Sequence, residues 1–275
     1  MKKVLKKLLH RLNPTDGVYV NKVLCGVPLR LLEGTLREKE DQDDAWWFHL
    51  CKDHSVIYDI GCNTGYTALL ALIQDPDKQM ILVDPNPMAL KNAAQNIIIN
   101  LLGNRVNYVS AFVGNSTNST VKFYTVGAGE AGSMYASHAV TAASRNSFLE
   151  VKTVTLDDLF AQYHVLPDLV KIDVEGAETM VMEGARLLAK KSQCAFFVEM
   201  HHEQDLSMED ATQLMINWCN EENYNVWYLK TGEKITASEV TKNRGKCHLL
   251  LLPKSRPYPE YLKGIDQNAA LPKTI

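Results

Sequence analysis

The chain has 275 residues, 46% hydrophobic and 22% charged, with a formal net charge of −3, the balance of a protein that buries a core. A slightly acidic surface argues against a nucleic-acid partner, since phosphate contacts need basic side chains. The six cysteines contain no CxxC pair, which removes the usual structural zinc site. With no apolar run of about 20 residues and no signal-like leader, a reduced cytoplasmic setting is expected.

Residues 1–12 carry Val4, Leu5, Leu8, Leu9 and Leu12 on one helical face and Lys2, Lys3, Lys6, Lys7, His10 and Arg11 on the other. Docking of this helix on its own domain is the first expectation. Peripheral contact with an anionic membrane or a partner is the alternative. Residues 18–32 read as short strands broken at Cys25-Gly26 and Pro28. A charge run over 37–44 then leads into the helix Ala45-Trp46-Trp47-Phe48-His49-Leu50, and acidic residues there suit the positive helix N-terminus. Trp46 and Trp47 are expected in the core.

Strands and helices alternate beyond this point. Core strands are predicted over 56–60, 80–83, 107–113, 169–173 and 194–198, with helices over 66–74, 88–102, 157–163, 177–190 and 208–220. Residues 121–126 suggest a strand forming one half of a hairpin, 151–156 a further strand, and 224–229 and 248–252 supply the last strands. The Gly-, Ala- and Ser-rich stretch 127–146 is expected to be a mobile loop and a candidate lid. The resulting division is an N-terminal extension over 1–54, a main domain over 55–253 and an irregular tail over 254–275. Such alternation gives an α/β fold, a mostly parallel sheet with helices on both faces and ligands at the carboxyl ends of its strands.

The informative residues fall at those ends. Asp59-Ile60-Gly61-Cys62-Asn63-Thr64-Gly65-Tyr66 follows the first core strand and opens a helix. Gly61 permits a sharp turn and Gly65 a close backbone approach, while Asn63 occupies a position that a dinucleotide loop would fill with glycine. Asp59 can meet a cationic amino-acid group. Asp84, in Val83-Asp84-Pro85-Asn86-Pro87, ends the next strand, where a carboxylate can accept bonds from ribose hydroxyls. Lys171-Ile172-Asp173-Val174-Glu175-Gly176-Ala177-Glu178 crowds acids at a strand-to-helix junction. Glu178 there suits a helix N-terminus; Asp173 and Glu175 point to function. In Val198-Glu199-Met200-His201-His202, alternation puts Glu199 and His201 on one side. They could serve as a base and its partner or, with Asp173, hold a divalent cation; no metal is the first expectation. His202 is expected to be a solvated surface residue.

Together these segments resemble the FkbM family of class I methyltransferases. The likeness extends over about 56–200 and includes Val154-Thr155-Leu156-Asp157-Asp158-Leu159 and Glu183-Gly184-Ala185. It implies a Rossmann-like, seven-stranded sheet whose final strand is antiparallel, and S-adenosylmethionine as cofactor. It also implies O-methylation of sugars, polyketides or related natural products, with a small-molecule or glycan acceptor. By motif match, Asp59, Gly61, Asn63 and Asp84 would hold the cofactor, with Gly65, Tyr66, Pro85 and Asn86 completing the two loops and Asp173 beside them. Ser110 and Ala111 would meet adenine.

A hydroxyl acceptor must lose its proton, so a base is needed. Asp173 is the first candidate and His201 the second, with Glu199 orienting. An N-methyltransferase would more often carry an Asn/Asp-Pro-Pro-aromatic loop where this chain has Asp-Val-Glu-Gly. A non-catalytic cofactor-binding module and a nicotinamide dehydrogenase are the other readings; Asn63 disfavours the second.

Overall fold

The computed structural model describes residues 17–35, 37, 39–127, 132–202 and 205–275; the basic helix expected over 1–12 lies outside them. A hairpin comes first, β1 (Tyr19–Leu24) and β2 (Val27–Leu32), reversed at Cys25-Gly26, whose φ values of 49° and 83° are both left-handed. Helix α1 (Asp44–Lys52) follows. The expected alternation then runs β3 (Val56–Ile60), α2 (Tyr66–Leu72), β4 (Gln79–Val83), α3 (Pro87–Ile99) and β5 (Val106–Val109). Next come β6 (Phe112–Val113), β7 (Thr120–Tyr124), α4 (Val140–Ser144), β8 (Phe148–Val154), α5 (Leu156–Tyr163) and β9 (Leu169–Ile172). The chain closes with α6 (Glu178–Glu183), α7 (Arg186–Ser192), β10 (Ala195–His201), α8 (Met208–Glu221), β11 (Tyr224–Tyr228), β12 (Glu233–Lys234) and β13 (Lys246–Pro253).

The main sheet has the order β12-β11-β13-β10-β9-β3-β4-β5. Pairings among β10, β9, β3, β4 and β5 are parallel, and β13 runs antiparallel to both of its neighbours. This is the predicted arrangement, with the two-residue β12 as an additional edge strand. The strand expected over 121–126 is β7, whose antiparallel partner is β8, joined by β6 in a small second sheet. Among the described residues no helix is long and apolar enough to cross a membrane.

Strand alternation feeds two hydrophobic layers. Tyr58, Ile81, Val170 and Phe196 pack with α5 to α8 on one face, while Ile57, Leu82, Leu169 and Phe197 face the other. The second layer is completed from both ends of the chain: Leu31, Trp46 and Trp47 from the N-terminal segment, Leu262 and Leu271 from the tail. Trimming either end would therefore uncover the sheet. All six cysteines are buried as free thiols.

Some local expectations change. The single helix predicted over 177–190 is two, α6 and α7, broken at Gly184. A Cβ there would lie 2.3 Å from the Gly114 carbonyl oxygen, so the chain bends to pack backbone on backbone. The stretch 127–146 is not a plain loop, because Ser133 bridges to Tyr124 and α4 follows. The tail, expected to be irregular, includes a 3₁₀ turn at Glu260–Gly264.

Candidate active site

The sheet order reverses between β3 and β9: successive strands β4 and β5 lie on one side of β3, and β9 and β10 on the other. Such a switch point leaves a crevice at the carboxyl ends of the strands. A cavity of about 420 Å³ opens there, within the roughly 300–1,000 Å³ range of small-molecule sites.

One half of the cleft is built from loop backbone. Gly61, at φ 86°, turns so tightly under the neighbouring strand end that a Cβ would stand 1.8 Å from the Asp173 carbonyl oxygen. Only glycine fits. Asn63 takes a left-handed φ of 45°, and its N–H donates to Asp84 Oδ2 at 2.8 Å while the Asn86 N–H donates to Oδ1 at 2.8 Å. Burial raises the Asp84 carboxyl to about 6, and those two backbone bonds oppose the rise. Asn86 caps α3, accepting from the Met88 N–H at 3.0 Å ahead of Pro87, the usual N-terminal arrangement. Its amide also donates to the Gly127 carbonyl at 2.8 Å. The Asn63 side-chain oxygen is buried without a partner. Ala111, Phe112 and Val113 form an adjacent apolar wall.

The other half is a network of charges on β9, β10 and β13. Alternation aims Lys171 and Asp173, Glu199 and His201, and Lys246 and His248 toward one side, and register sets Lys171 beside Asp59 and Glu199 beside His248. The Lys171 ammonium, only 2% exposed, lies 2.8 Å from Asp173 Oδ2. Burial opposes its charge, but Asp173, Asp59 and Asp43 outweigh that and hold it protonated. Lys246 pairs closely with Glu199. Burial also works against the Glu199 charge, yet His248, Lys171 and His201 hold its carboxyl well below the usual range.

His201 Nδ1 lies 2.9 Å from Glu178 Oε1, and Nε2 lies 3.6 Å from both Glu175 and Glu199. Burial would lower its pKa, but the Glu178 bond and the surrounding acids raise it to about 10. Glu175 adopts a left-handed φ of 53°, and burial raises its carboxyl despite the nearby His201.

Of the residues singled out from sequence, Gly61, Asn63, Tyr66, Asp84, Pro85 and Asn86 line the cleft, as do Ala111, Asp173, Glu199 and His201. Asp59, Gly65 and Ser110 do not. Asp59 is fully buried behind the wall, accepting from the Thr67 hydroxyl at 2.7 Å. Gly65, at φ 83°, makes room for α3, since a Cβ would be 2.9 Å from the Ala93 side chain. Ser110 is exposed outside the cleft. The acids around His201 favour its protonated form, and an imidazolium has no free lone pair with which to take a proton from an acceptor. The metal alternative at Asp173, Glu199 and His201 keeps its atoms within 4.8 Å of one another, but Lys171, Lys246 and the His201 cation already balance those carboxylates.

Sequence reasoning missed Lys171, Lys246, Thr35 and Arg37, all of which line the cleft. A lysine inside the apolar run Leu169-Val170-Lys171-Ile172 was a legible signal, because such a buried charge needs a partner. Arg37 and Lys246 lie far from any motif. The expected lid is anchored within its first half, where the Ser133 hydroxyl donates to the Glu175 carbonyl at 2.8 Å and Gly132 lines the cleft. Trp46 and Trp47 are core residues, with indole N–H groups on the Ile265 and Thr67 carbonyls. His202 is exposed, as expected.

The family model of the methyltransferase FkbM domain matches residues 59–226, more than half of the chain. No curated protein matches the sequence. Among solved structures, the FkbM methyltransferase of Methylobacillus flagellatus KT is 15% identical with a TM-score of 0.46; the match covers 80% of this chain and 45% of that one. The present chain thus spans less than half of that protein's length. M. jannaschii TYW2, solved in complex with AdoMet, is 13% identical at a TM-score of 0.46, with 86% and 85% covered. Precorrin-6y C5,15-methyltransferase from Geobacter metallireducens GS-15 is 10% identical at 0.44, with 82% and 93% covered.

Proposed function

The chain belongs to the FkbM methyltransferase domain family, and on that premise we propose that it transfers a methyl group from S-adenosylmethionine to a hydroxyl of a polar, sugar-like acceptor. The division of the cleft carries this reading, one half shaped mainly by loop backbone, the other walled by paired charges. The first half suits an adenosyl group. Asp84 can accept from ribose hydroxyls, the unpartnered Asn63 oxygen offers another acceptor, and Ala111 to Val113 supply an apolar wall. The bound cofactor supplies a methyl already activated by a sulfonium. What remains for the protein is to align the acceptor and remove its proton.

Alignment falls to rigid strand ends. Asp173 keeps one oxygen on Lys171, which fixes its carboxylate in the cleft to accept from the attacking hydroxyl. Glu199, held strongly ionised, is too weak a base to take the proton, and His201 is already protonated. Glu175 has the raised basicity that general-base work requires and sits 28% exposed at the cleft. Asp173 therefore orients and Glu175 receives the proton. A wall of charged hydrogen-bonding groups also favours a hydroxylated acceptor, because an apolar one would strip their solvent without replacing it.

Methyl-labelled cofactor offered with free sugars, sugar nucleotides and amines tests the reading. An O-methyl product is expected, with Glu175→Gln lowering kcat by about 100-fold and removing the acid limb of the pH profile. A labelled N-methyl product alone would reject the hydroxyl. Cofactor binding with no transfer to any acceptor would favour the non-catalytic module.

A further inference from the structure

We propose that Arg37, which lines the cleft together with Gly34, Thr35 and Asp41, binds the α-carboxylate of the methyl donor. The inference rests on the donor reading above. The amino-acid end of S-adenosylmethionine carries an ammonium and a carboxylate. Acids for the ammonium are plentiful in the cleft, but the carboxylate needs a cation.

The cations among the described lining residues are Lys171, His201, Lys246 and Arg37. Lys171 is 2% exposed and bound to Asp173, His201 is bound to Glu178, and Lys246 to Glu199. Arg37 differs. It is 37% exposed, and its ion pairs with Asp41 at 3.2 Å and Asp44 at 3.3 Å both use Nη1. The Nη2 side of the planar fork makes no bond to a described residue, and a guanidinium fork matches a carboxylate. The group lies 4.6 Å from the centre of the Tyr66 ring, where the chain leaves the glycine loop. Asp84 thus meets that loop at Asn63 and Arg37 meets it at Tyr66, so separate groups are on hand for the ribose and for the amino-acid end.

Thr35, two residues before Arg37, is held in place. The buried Asn96 amide accepts from the Leu32 N–H at 2.8 Å and donates to Thr35 Oγ1 at 2.9 Å and the Thr64 carbonyl at 3.2 Å. The Thr64 hydroxyl donates back to the Thr35 carbonyl at 3.2 Å. One side chain of α3 thereby ties the hairpin, Thr35 and the glycine loop together, and Arg37 is itself paired with Asp41 and Asp44 before any ligand arrives.

A carboxylate could also come from an acidic acceptor, and calorimetry on the full chain separates the sources. S-adenosylhomocysteine carries the amino-acid end; 5′-methylthioadenosine lacks it. Arg37→Met is expected to weaken S-adenosylhomocysteine about 10-fold and leave methylthioadenosine unchanged, with Arg37→Lys between. Unchanged S-adenosylhomocysteine affinity would overturn the proposal, whether or not the KM for an acidic acceptor rises. Equal weakening of both ligands would overturn it too, as a structural collapse around Arg37. If the wild-type chain bound neither ligand, the donor reading itself would fall.

Discussion

The two halves of the cleft are held by different physics. On the glycine-loop side, Asn63, Asp84 and Asn86 are fixed by bonds to backbone within a few residues of a strand end. On the far side, Lys171, Asp173, Glu199, His201 and Lys246 come from three strands and are fixed by one another's charge. A site of the first kind tolerates a lost side chain with local damage. In the second, removing one charge leaves its partner buried and unpaired, and the whole wall responds.

The sharpest contrast should come from Lys171→Met. It strands Asp173 and the buried Asp59, and a loss of about 3–5 kcal/mol in chemical denaturation is expected. A loss under about 1 kcal/mol would break the comparison. His201 sharpens it through pH. Its folded-state pKa of about 10 lies above the ordinary 6.5, so its contribution is complete below about 6.5 and disappears as pH rises toward 10. The stability gap between wild type and His201→Gln should therefore shrink from pH 6 to pH 10; a constant gap would mean the histidine carries no charge. The smallest effects belong to the loop side. Asn63→Ala should weaken S-adenosylhomocysteine by roughly 5-fold, one hydrogen bond's worth, and cost about 1 kcal/mol of stability because alanine is disfavoured at its left-handed φ. Ser110→Ala, outside the cleft, should change neither.

The same contrast explains what could be read from the chain alone. The glycine-loop half is local: a strand, a turn that only glycine makes and an acid at the next strand tip lie within residues 56–87, so spacing carries the geometry. Its errors were ones of direction. Asp59 and Gly65 lie at the right places in the chain, but one points behind the wall and the other packs on Ala93. The charged half is assembled from residues as far apart as Lys171, Glu199 and Lys246, whose meeting depends on the antiparallel insertion of β13 between β10 and β11. No local pattern encodes that. The charge of His201 was likewise hidden, because it is set by Glu178 and Glu175 across the turn after β9.

Thermal unfolding of the full chain with increasing S-adenosylhomocysteine tests the central claim, that the strand-tip cleft is the methyl-donor site. A ligand that binds only the folded state raises Tm with concentration, and that rise is expected for the wild type and strongly reduced in Asp84→Ala. An equal rise in both, or no rise in the wild type at millimolar ligand, would contradict the account.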